Sequence, residues 1–235
     1  MNMWKGVETV ERRKTKRRSV RFYVTIAVLL AVITAAIYFT TFFLVVRNSY
    51  EFKADKVDYL FYDESSGKYY LVRFVSSSKL GYIIEFPPQA FYAPTMRAFD
   101  PDNLEATLIV IEDMLGLSKD ASFYASVGEK AKKLLGELGG FRNGFVETLN
   151  ALSGRGVKFF DYLKAQKYAE TFKPRTNLTG PAFLKLLDRL NASGMQKFEI
   201  KGLTKRPIVI EVDAKKYERI YLDESSVKQV KNILR

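Results

Sequence analysis

Residues 22–46 read FYVTIAVLLAVITAAIYFTTFFLVV and contain no charged side chain. A helix of this length, rising about 1.5 Å per residue, is about 37 Å long and can cross a hydrocarbon core of about 30 Å. Unpaired backbone groups are costly in lipid, so a membrane-spanning segment is expected to be helical. A core helix of a soluble protein would carry a polar face, and a cleaved signal would be shorter. The stretch therefore predicts an uncleaved transmembrane helix.

The flanking charges predict its orientation. Before the apolar run, eight cations face only Glu8 and Glu11; they are Lys5, Arg12, Arg13, Lys14, Lys16, Arg17, Arg18 and Arg21. Only Arg47 and Lys53 follow closely, and cationic loops stay in the cytoplasm. We therefore expect a basic cytoplasmic tail at 1–21, a transmembrane helix at 22–46, a juncture at 47–55 and an extracytoplasmic domain at 56–235. The predicted location is the cytoplasmic (inner) membrane, crossed once.

The composition excludes much chemistry. The chain has no Cys and no His, which rules out disulfides, thiol nucleophiles, Ser-His-Asp triads and the usual zinc ligands. Half of the net charge of +12 lies in the tail, where membrane topology explains it, and the rest is spread among both signs. We therefore predict the lipid bilayer as a partner and no nucleic acid. Chemistry carried out by carboxylates, Arg and Lys together with a hard cation remains possible.

Residues 56–235 alternate between strand and helix patterns. Aromatic and β-branched runs predict strands at 56–62, 68–75, 80–86 and 122–127, and shorter ones at 197–201, 207–212 and 218–222. Helical spacing predicts helices at 102–115, 129–138, 145–152, 157–172, 181–191 and 227–234. Gly139 and Gly140 favour a helix end more than a phosphate-binding turn. The pattern indicates an α/β fold, with one mixed-sheet domain and flanking helices after the transmembrane helix.

Several short motifs follow one another in a suggestive order. They are IIEFPPQ at 83–89, LGL at 115–117, FYASV at 123–127, LGGF at 138–141, AQKY at 165–168 and YLDESSVKQV at 221–230. Their order and spacing, together with the anchor, resemble the LytR-CpsA-Psr family of membrane-anchored cell envelope proteins. The resemblance covers roughly residues 56–235, although each motif is short.

The resemblance implies a function and also a departure from it. Family members use arginines and aspartates with Mg²⁺ to bind the pyrophosphate of a polyprenyl-linked glycopolymer and transfer the glycan to peptidoglycan. Here Pro88 and Gln89 stand in place of an Arg-Asp pair, and Glu170 and Phe172 in place of two arginines. The segment TGP at 179–181 stands near the next arginine. The resemblance thus predicts a divergent, non-catalytic member.

Four cations remain as candidate phosphate contacts: Arg73, Arg97, Lys173 and Arg175. Arg175 leads, because it precedes a predicted helix start, where backbone N–H groups favour an anion. The alternative is that these four cations are solvated surface charges with no ligand. No catalytic residue and no metal ligand is predicted, and Mg²⁺ belongs only with transferase activity.

The function expected from the resemblance is contact with a lipid-linked glycopolymer or with a partner protein of the envelope. Two alternatives stay open. The domain could be a structural protein-interaction module of a division or secretion machine. It could also be an active glycopolymer–peptidoglycan transferase whose catalytic residues do not align with the motifs quoted above.

Overall fold

The computed structural model describes residues 5–140, 142–212 and 215–234, without the side chains of 5–19, 212 and 215. It divides into two compact units, Met1–Val45 and Val46–Arg235. Helix α1 is Lys5–Asn48, so it begins well before the predicted span. Among the described residues, its segment Val20–Asn48 is the one helix long and apolar enough to cross a membrane.

The larger sheet of the domain has five strands in the order β6-β1-β2-β3-β7. Strand β2 is antiparallel to β1 and β3, while β1 is parallel to β6 and β3 is parallel to β7. Four of the strands therefore end at the same edge. The strands are β1 Lys56–Asp63, β2 Lys68–Val75, β3 Leu80–Phe86, β6 Ala121–Val127 and β7 Gly194–Glu199.

Both faces of this sheet are covered, and most residues of β1, β2, β3 and β6 are buried on either side. One face carries residues such as Tyr59 and Phe74 and packs against four helices; the other carries Leu60 and Leu71 and packs against two. On the first face lie α4 Glu129–Gly139, α5 Phe145–Ser153, α6 Phe159–Glu170 and α7 Gly180–Ala192. On the second lie α3 Leu104–Leu115 and α8 Glu224–Ile233.

A second, smaller sheet was not predicted. Its four strands run in the order β5-β4-β9-β8, and β4 and β9 pair in parallel although they lie far apart in sequence. The strands are β4 Ala90–Tyr92, β5 Arg97–Ala98, β8 Ile208–Val212 and β9 Lys215–Tyr221. The α/β class with flanking helices is confirmed, and this sheet is added to it.

The predicted helix ends also agree with the structure. Gly116 ends α3 with a positive φ, and Gly140 ends α4 in the same way, as expected of cap residues. Asp223 caps α8 by accepting hydrogen bonds from the N–H groups of Ser225 and Ser226. Residue 141, the last of the 138–141 motif, lies outside the described part of the chain.

The start of the domain is fixed by a buried lysine. Lys185 of α7 is fully buried, and its Nζ donates hydrogen bonds to the carbonyl oxygens of Phe52, at 2.9 Å, and Ala54. Phe52 belongs to the short helix α2, Tyr50–Lys53, whose Glu51 accepts a hydrogen bond from Thr179. The predicted juncture is therefore packed onto the domain.

This lysine should give stability a pH dependence. Burial lowers the pKa of Lys185 to about 8, whereas the unfolded chain keeps the proton up to the ordinary value of 10.5. Between these values the unfolded state binds more protons, so the free energy of unfolding should rise with pH. We expect Lys185→Met to lose that rise. Chemical denaturation of both proteins at pH 7 to 10.5 measures it, and parallel curves would contradict it.

Candidate functional site

A cavity of about 630 Å³ opens between the sheet and helices α4 and α5, near the carboxyl ends of β1, β3 and β7. Ligands of open α/β sheets commonly bind at the carboxyl ends of strands, and the volume suits a small-molecule group. Five cations line it, and we call it the lysine-lined cavity; they are Lys68, Lys132, Lys133, Arg142 and Lys197.

Two of these lysines share a single carboxylate. The Nζ of Lys68 lies 2.6 Å from one oxygen of Glu85, and the Nζ of Lys197 lies 3.1 Å from the other. Burial raises the pKa of Glu85, but the two hydrogen bonds outweigh it, so the pKa lies below its ordinary value. Glu85 is thus ionised at neutral pH, and this corner of the cavity keeps one excess positive charge.

A third lysine is paired at the β1–β2 turn. The Nζ of Lys132 lies 2.9 Å from Asp63, whose oxygens also accept hydrogen bonds from Ser65 and Ser66. Burial alone would raise the pKa of Asp63, but the hydrogen bonds from Lys132, Ser66 and Ser65 outweigh it, so the pKa lies below its ordinary value. A carboxylate held ionised in this way cannot act as a proton donor near neutral pH.

The remaining two cations are available to a ligand. Lys133 and Arg142 are exposed, and within the described residues neither forms an ion pair. Beside them Gly144 directly precedes α5, and it offers no side chain to cap the first N–H groups of the helix. The Glu147 carboxylate lies directly against Gly144. The carboxylate of Glu147 thus lies at the amino-terminal end of α5, a position that would also suit a phosphate.

The floor of the cavity is apolar. Tyr70, Leu135 and Phe145 line it, and the rings of Tyr70 and Phe145 lie 4.9 Å apart. Phe145 packs in turn on Phe61 of strand β1, with the ring centres 5.2 Å apart. A surface with cations at its rim and aromatic carbon at its base suits an amphiphilic anion.

Arg73 lies in the core and not at a ligand site. Its Nη1 is 2.7 and 2.8 Å from the two oxygens of Asp58, and its Nη2 donates to the carbonyl oxygen of Ser118 at 2.7 Å. The side chains of Arg73 and Asp58 are 3% and 0% exposed. Burial leaves the guanidinium no face open to a ligand, so the geometry gives no support to a phosphate contact.

Arg175 connects three segments. Its guanidinium pairs with Glu64 at 2.5 Å and with Asp102 at 3.2 Å, and it donates to the carbonyl oxygen of Pro101. Glu64 and Asp58 are six positions apart, which on an extended strand is about 20 Å. Arg73, which is bonded to Asp58, and Arg175, which is bonded to Glu64, therefore do not lie at one site.

The other two predicted cations are exposed. Arg97 is on β5 of the smaller sheet, and Lys173 is in the loop between α6 and α7. Neither lines the lysine-lined cavity, and Arg73 and Arg175 do not line it either. A phosphate contact by Arg97, Lys173 or Arg175 stays a prediction outside that cavity.

The ion pairs of Arg175 are partly exposed, which limits their effect on stability. We expect Arg175→Gln to lower the free energy of unfolding by no more than about 1 kcal/mol, because water screens such pairs. Urea denaturation of the full chain in detergent measures the change. A loss several times larger would show that Arg175 has a structural role beyond these exposed pairs.

The positions where the resemblance lacks its arginines have other contacts. Phe172 is buried in the core, and Thr179 caps α7 through its hydroxyl. Gly180 lies so close to the backbone of Gln166 that a Cβ would clash. Gln89 donates a hydrogen bond to Glu218 at 2.7 Å. Within the described residues, no group of three or more acidic side chains could hold a metal ion.

The sequence did carry a partial signal for the cavity. Glu129, Lys132, Lys133 and Gly136 recur at helical spacing, which places them on one face of α4. On β2, Lys68 alternates with Tyr70 and so shares its face. What the sequence does not show is the pairing of β3 with β7, which brings Lys197 to Glu85.

A mixed α/β domain with a cation-rimmed cavity at its strand ends is the class that fold and site define. No protein-family model matches the sequence, and no curated protein sequence matches it. The Lin1025 protein of Listeria innocua matches in structure with a TM-score of 0.51 and 11% identity, over 77% of this chain and 97% of the other. The Bacillus subtilis protein yvhJ, described as a transcriptional regulator, matches with a TM-score of 0.50 and 14% identity, over 77% and 95%.

A third match names a family. It is a LytR-CPS2A-psr family protein, YwtF (TagT), with bound octaprenyl pyrophosphate lipid, at 13% identity and a TM-score of 0.42, over 77% and 89% of the two chains. At such identities the likeness concerns the fold alone. The LytR-CpsA-Psr resemblance predicted from the motifs is confirmed at that level, in a divergent sequence.

Proposed function

We propose that this protein is a single-pass, membrane-anchored envelope protein whose outer domain binds a lipid-linked, phosphate-bearing glycan without transferring it. The lysine-lined cavity carries the proposal. Lys133 and Arg142 stand beside a helix start, above an apolar floor, at the strand ends where α/β sheets bind ligands. A glycan phosphate would meet the cations, and the adjoining lipid carbon would meet Tyr70 and Phe145.

The orientation of the proposal comes from charge. The eight cations before the apolar segment keep the amino terminus inside, so the domain after it lies outside the cytoplasmic membrane. Lipid-linked glycans are anchored in that same membrane through their polyprenyl chains. A tethered domain would therefore meet them at high effective concentration.

The non-catalytic part of the proposal is supported by the residues that replace the family's arginines. Phe172 and Thr179 serve the core and a helix cap, and neither can neutralise a leaving phosphate. Asp63 and Glu85 in the cavity are held ionised by lysines, which does not suit a general acid. Mg²⁺ enters only with the transferase alternative.

A binding titration combined with a transfer assay tests the proposal. The full chain in detergent is titrated with a polyprenyl phosphate, with and without Mg²⁺, and then incubated with a polyprenyl-pyrophosphate glycan and peptidoglycan. We expect saturable binding in both conditions and no glycan transfer. Absence of binding would overturn the ligand, and Mg²⁺-dependent transfer would establish the transferase alternative in its place.

One observation favours the alternative of a protein-interaction module. Strand β8 is the edge of the smaller sheet, and the β8–β9 hairpin exposes Ile208, Val209 and Tyr217. Edge strands with exposed apolar residues can pair with a strand of another protein. If the chain binds an envelope protein, and Val209→Lys abolishes that binding while leaving polyprenyl phosphate binding unchanged, the interaction function belongs to this edge.

A further inference from the structure

Helix α6 exposes three large apolar side chains close together. Phe159, Phe160 and Leu163 are 54%, 65% and 46% exposed, and their spacing places them around the amino-terminal half of the helix. Single exposed apolar residues are ordinary on protein surfaces. A cluster of two phenylalanines and a leucine marks a contact surface.

The same part of α6 is tied to the point where the apolar segment ends. Tyr162 accepts a hydrogen bond from the Nε of Arg47 at 3.1 Å, and Arg47 also lies 3.5 Å from Asp188 of α7. Arg47 follows directly after the last apolar residue, Val46. If residues 22–46 cross a membrane, Arg47 lies at the membrane surface, and the exposed cluster on α6 lies close to that surface as well.

The charges around the cluster suit a lipid headgroup layer. Lys158, Lys164 and Lys167 are all exposed on or next to this helix. The carboxylate of Asp161 is buried and held by Arg155 at 2.6 and 2.7 Å, so it does not offset them at the surface. Aromatic and leucine side chains bordered by lysines are typical of helices that lie in a membrane interface.

We propose that the amino-terminal half of α6 docks on the bilayer, with Phe159, Phe160 and Leu163 in the headgroup region and the lysines among the lipid phosphates. The proposal rests on the membrane anchor proposed above and goes beyond it. Lipid is the occupant because the cluster is tied through Tyr162 to the residue at the end of the apolar segment. Such docking would restrict how the domain turns above the membrane.

A nitroxide label on Leu163→Cys tests this docking. The chain has no cysteine, so the introduced thiol is unique. The labelled full chain is reconstituted into phosphatidylglycerol and phosphatidylethanolamine vesicles, with Ile33→Cys as the reference within the apolar segment and Val209→Cys as the exposed reference. Relaxation by oxygen and by a water-soluble nickel complex is compared. We expect the ratio of relaxation by oxygen to relaxation by the nickel complex to be several-fold higher at Leu163→Cys than at Val209→Cys. Oxygen is enriched and the nickel complex depleted at the depth of about 5–10 Å that an interfacial helix reaches.

A second variant links the signal to the cluster. Phe160→Asp in the Leu163→Cys chain should return the ratio to that of Val209→Cys, since a charge there opposes insertion, and the exposed position should not disturb folding. If the label at Leu163→Cys gives the same ratio as Val209→Cys while the label at Ile33→Cys reports lipid, the docking is overturned and the anchor stays intact. A label shielded from both reagents means a protein contact and overturns it too. An aqueous Ile33 label overturns the anchor itself.

Discussion

Replacing Arg73 by Met should lower the free energy of unfolding by about 3–5 kcal/mol, because it leaves the buried carboxylate of Asp58 without its partner. Asp58 is fully buried in the middle of the sheet and is bonded at both oxygens by the guanidinium. The carboxylate cannot reach water, so the variant must either protonate it or distort the sheet. Urea denaturation of the full chain in detergent, followed by circular dichroism, measures the loss.

Two further variants make the result specific. The double replacement Asp58→Leu with Arg73→Met removes both charges, so much of the lost stability should return. Arg97→Met changes the same residue type at an exposed site and should shift stability by less than about 0.5 kcal/mol. If Arg73→Met behaved like Arg97→Met, Arg73 would not be held in the core. It would then be available for the phosphate contact that the sequence predicted.

Reversing the charge of Lys133 or Arg142 should weaken binding of a polyprenyl phosphate by roughly 10- to 100-fold. A hydrogen bond to a charged group contributes about 1.5–3 kcal/mol, and each factor of ten is about 1.4 kcal/mol. Both side chains line the cavity, and within the described residues neither forms an ion pair, so both are available to a ligand. Fluorescence or calorimetric titration of Lys133→Glu and Arg142→Glu measures the effect.

Two variants provide the comparison for these reversals. Lys130 is exposed on the same helix α4 but does not line the cavity, so Lys130→Glu should keep the affinity within about twofold, as expected for screened distant charges. Glu147→Gln removes the carboxylate beside Gly144 and should strengthen binding. Equal losses in Lys130→Glu and Lys133→Glu would mean that only the overall charge matters and would contradict a cavity site.

The course of the chain through the larger sheet follows closely from the sequence. Strands β1, β2 and β3 coincide nearly with the predicted runs, because each is a long aromatic or β-branched stretch bounded by turn residues. Helices α3 and α4 end at the predicted glycines, since a positive φ there favours glycine strongly. Such local signals need no knowledge of the fold.

The smaller sheet could not be predicted in the same way. Strands β4 and β5 have three and two residues and lie between prolines. Strand β4 pairs with β9, which lies far away in the sequence, and β5 pairs with β4. No window of local sequence contains that partner, so propensity alone gives no strand there.

The candidate site shows the same division between local and distant information. The sequence predicted Arg73 as a phosphate contact, but Arg73 pairs with Asp58 of the neighbouring strand and is buried in the core. The lysines of the cavity come from β2, α4 and β7, and only the sheet order brings them together. The alternation and helical spacing of Lys68, Lys132 and Lys133 would have shown which face each occupies, although not that the faces meet.

The most direct test of the account asks on which side of the membrane the domain lies. Single cysteines are placed at Leu203, which is exposed in the domain, and at Asn2 in the basic tail. Intact cells that make the full chain are treated with a membrane-impermeant maleimide and then permeabilised as a control. We predict labelling of Leu203→Cys in intact cells and of Asn2→Cys only after permeabilisation. Labelling of Asn2→Cys alone in intact cells would contradict the account.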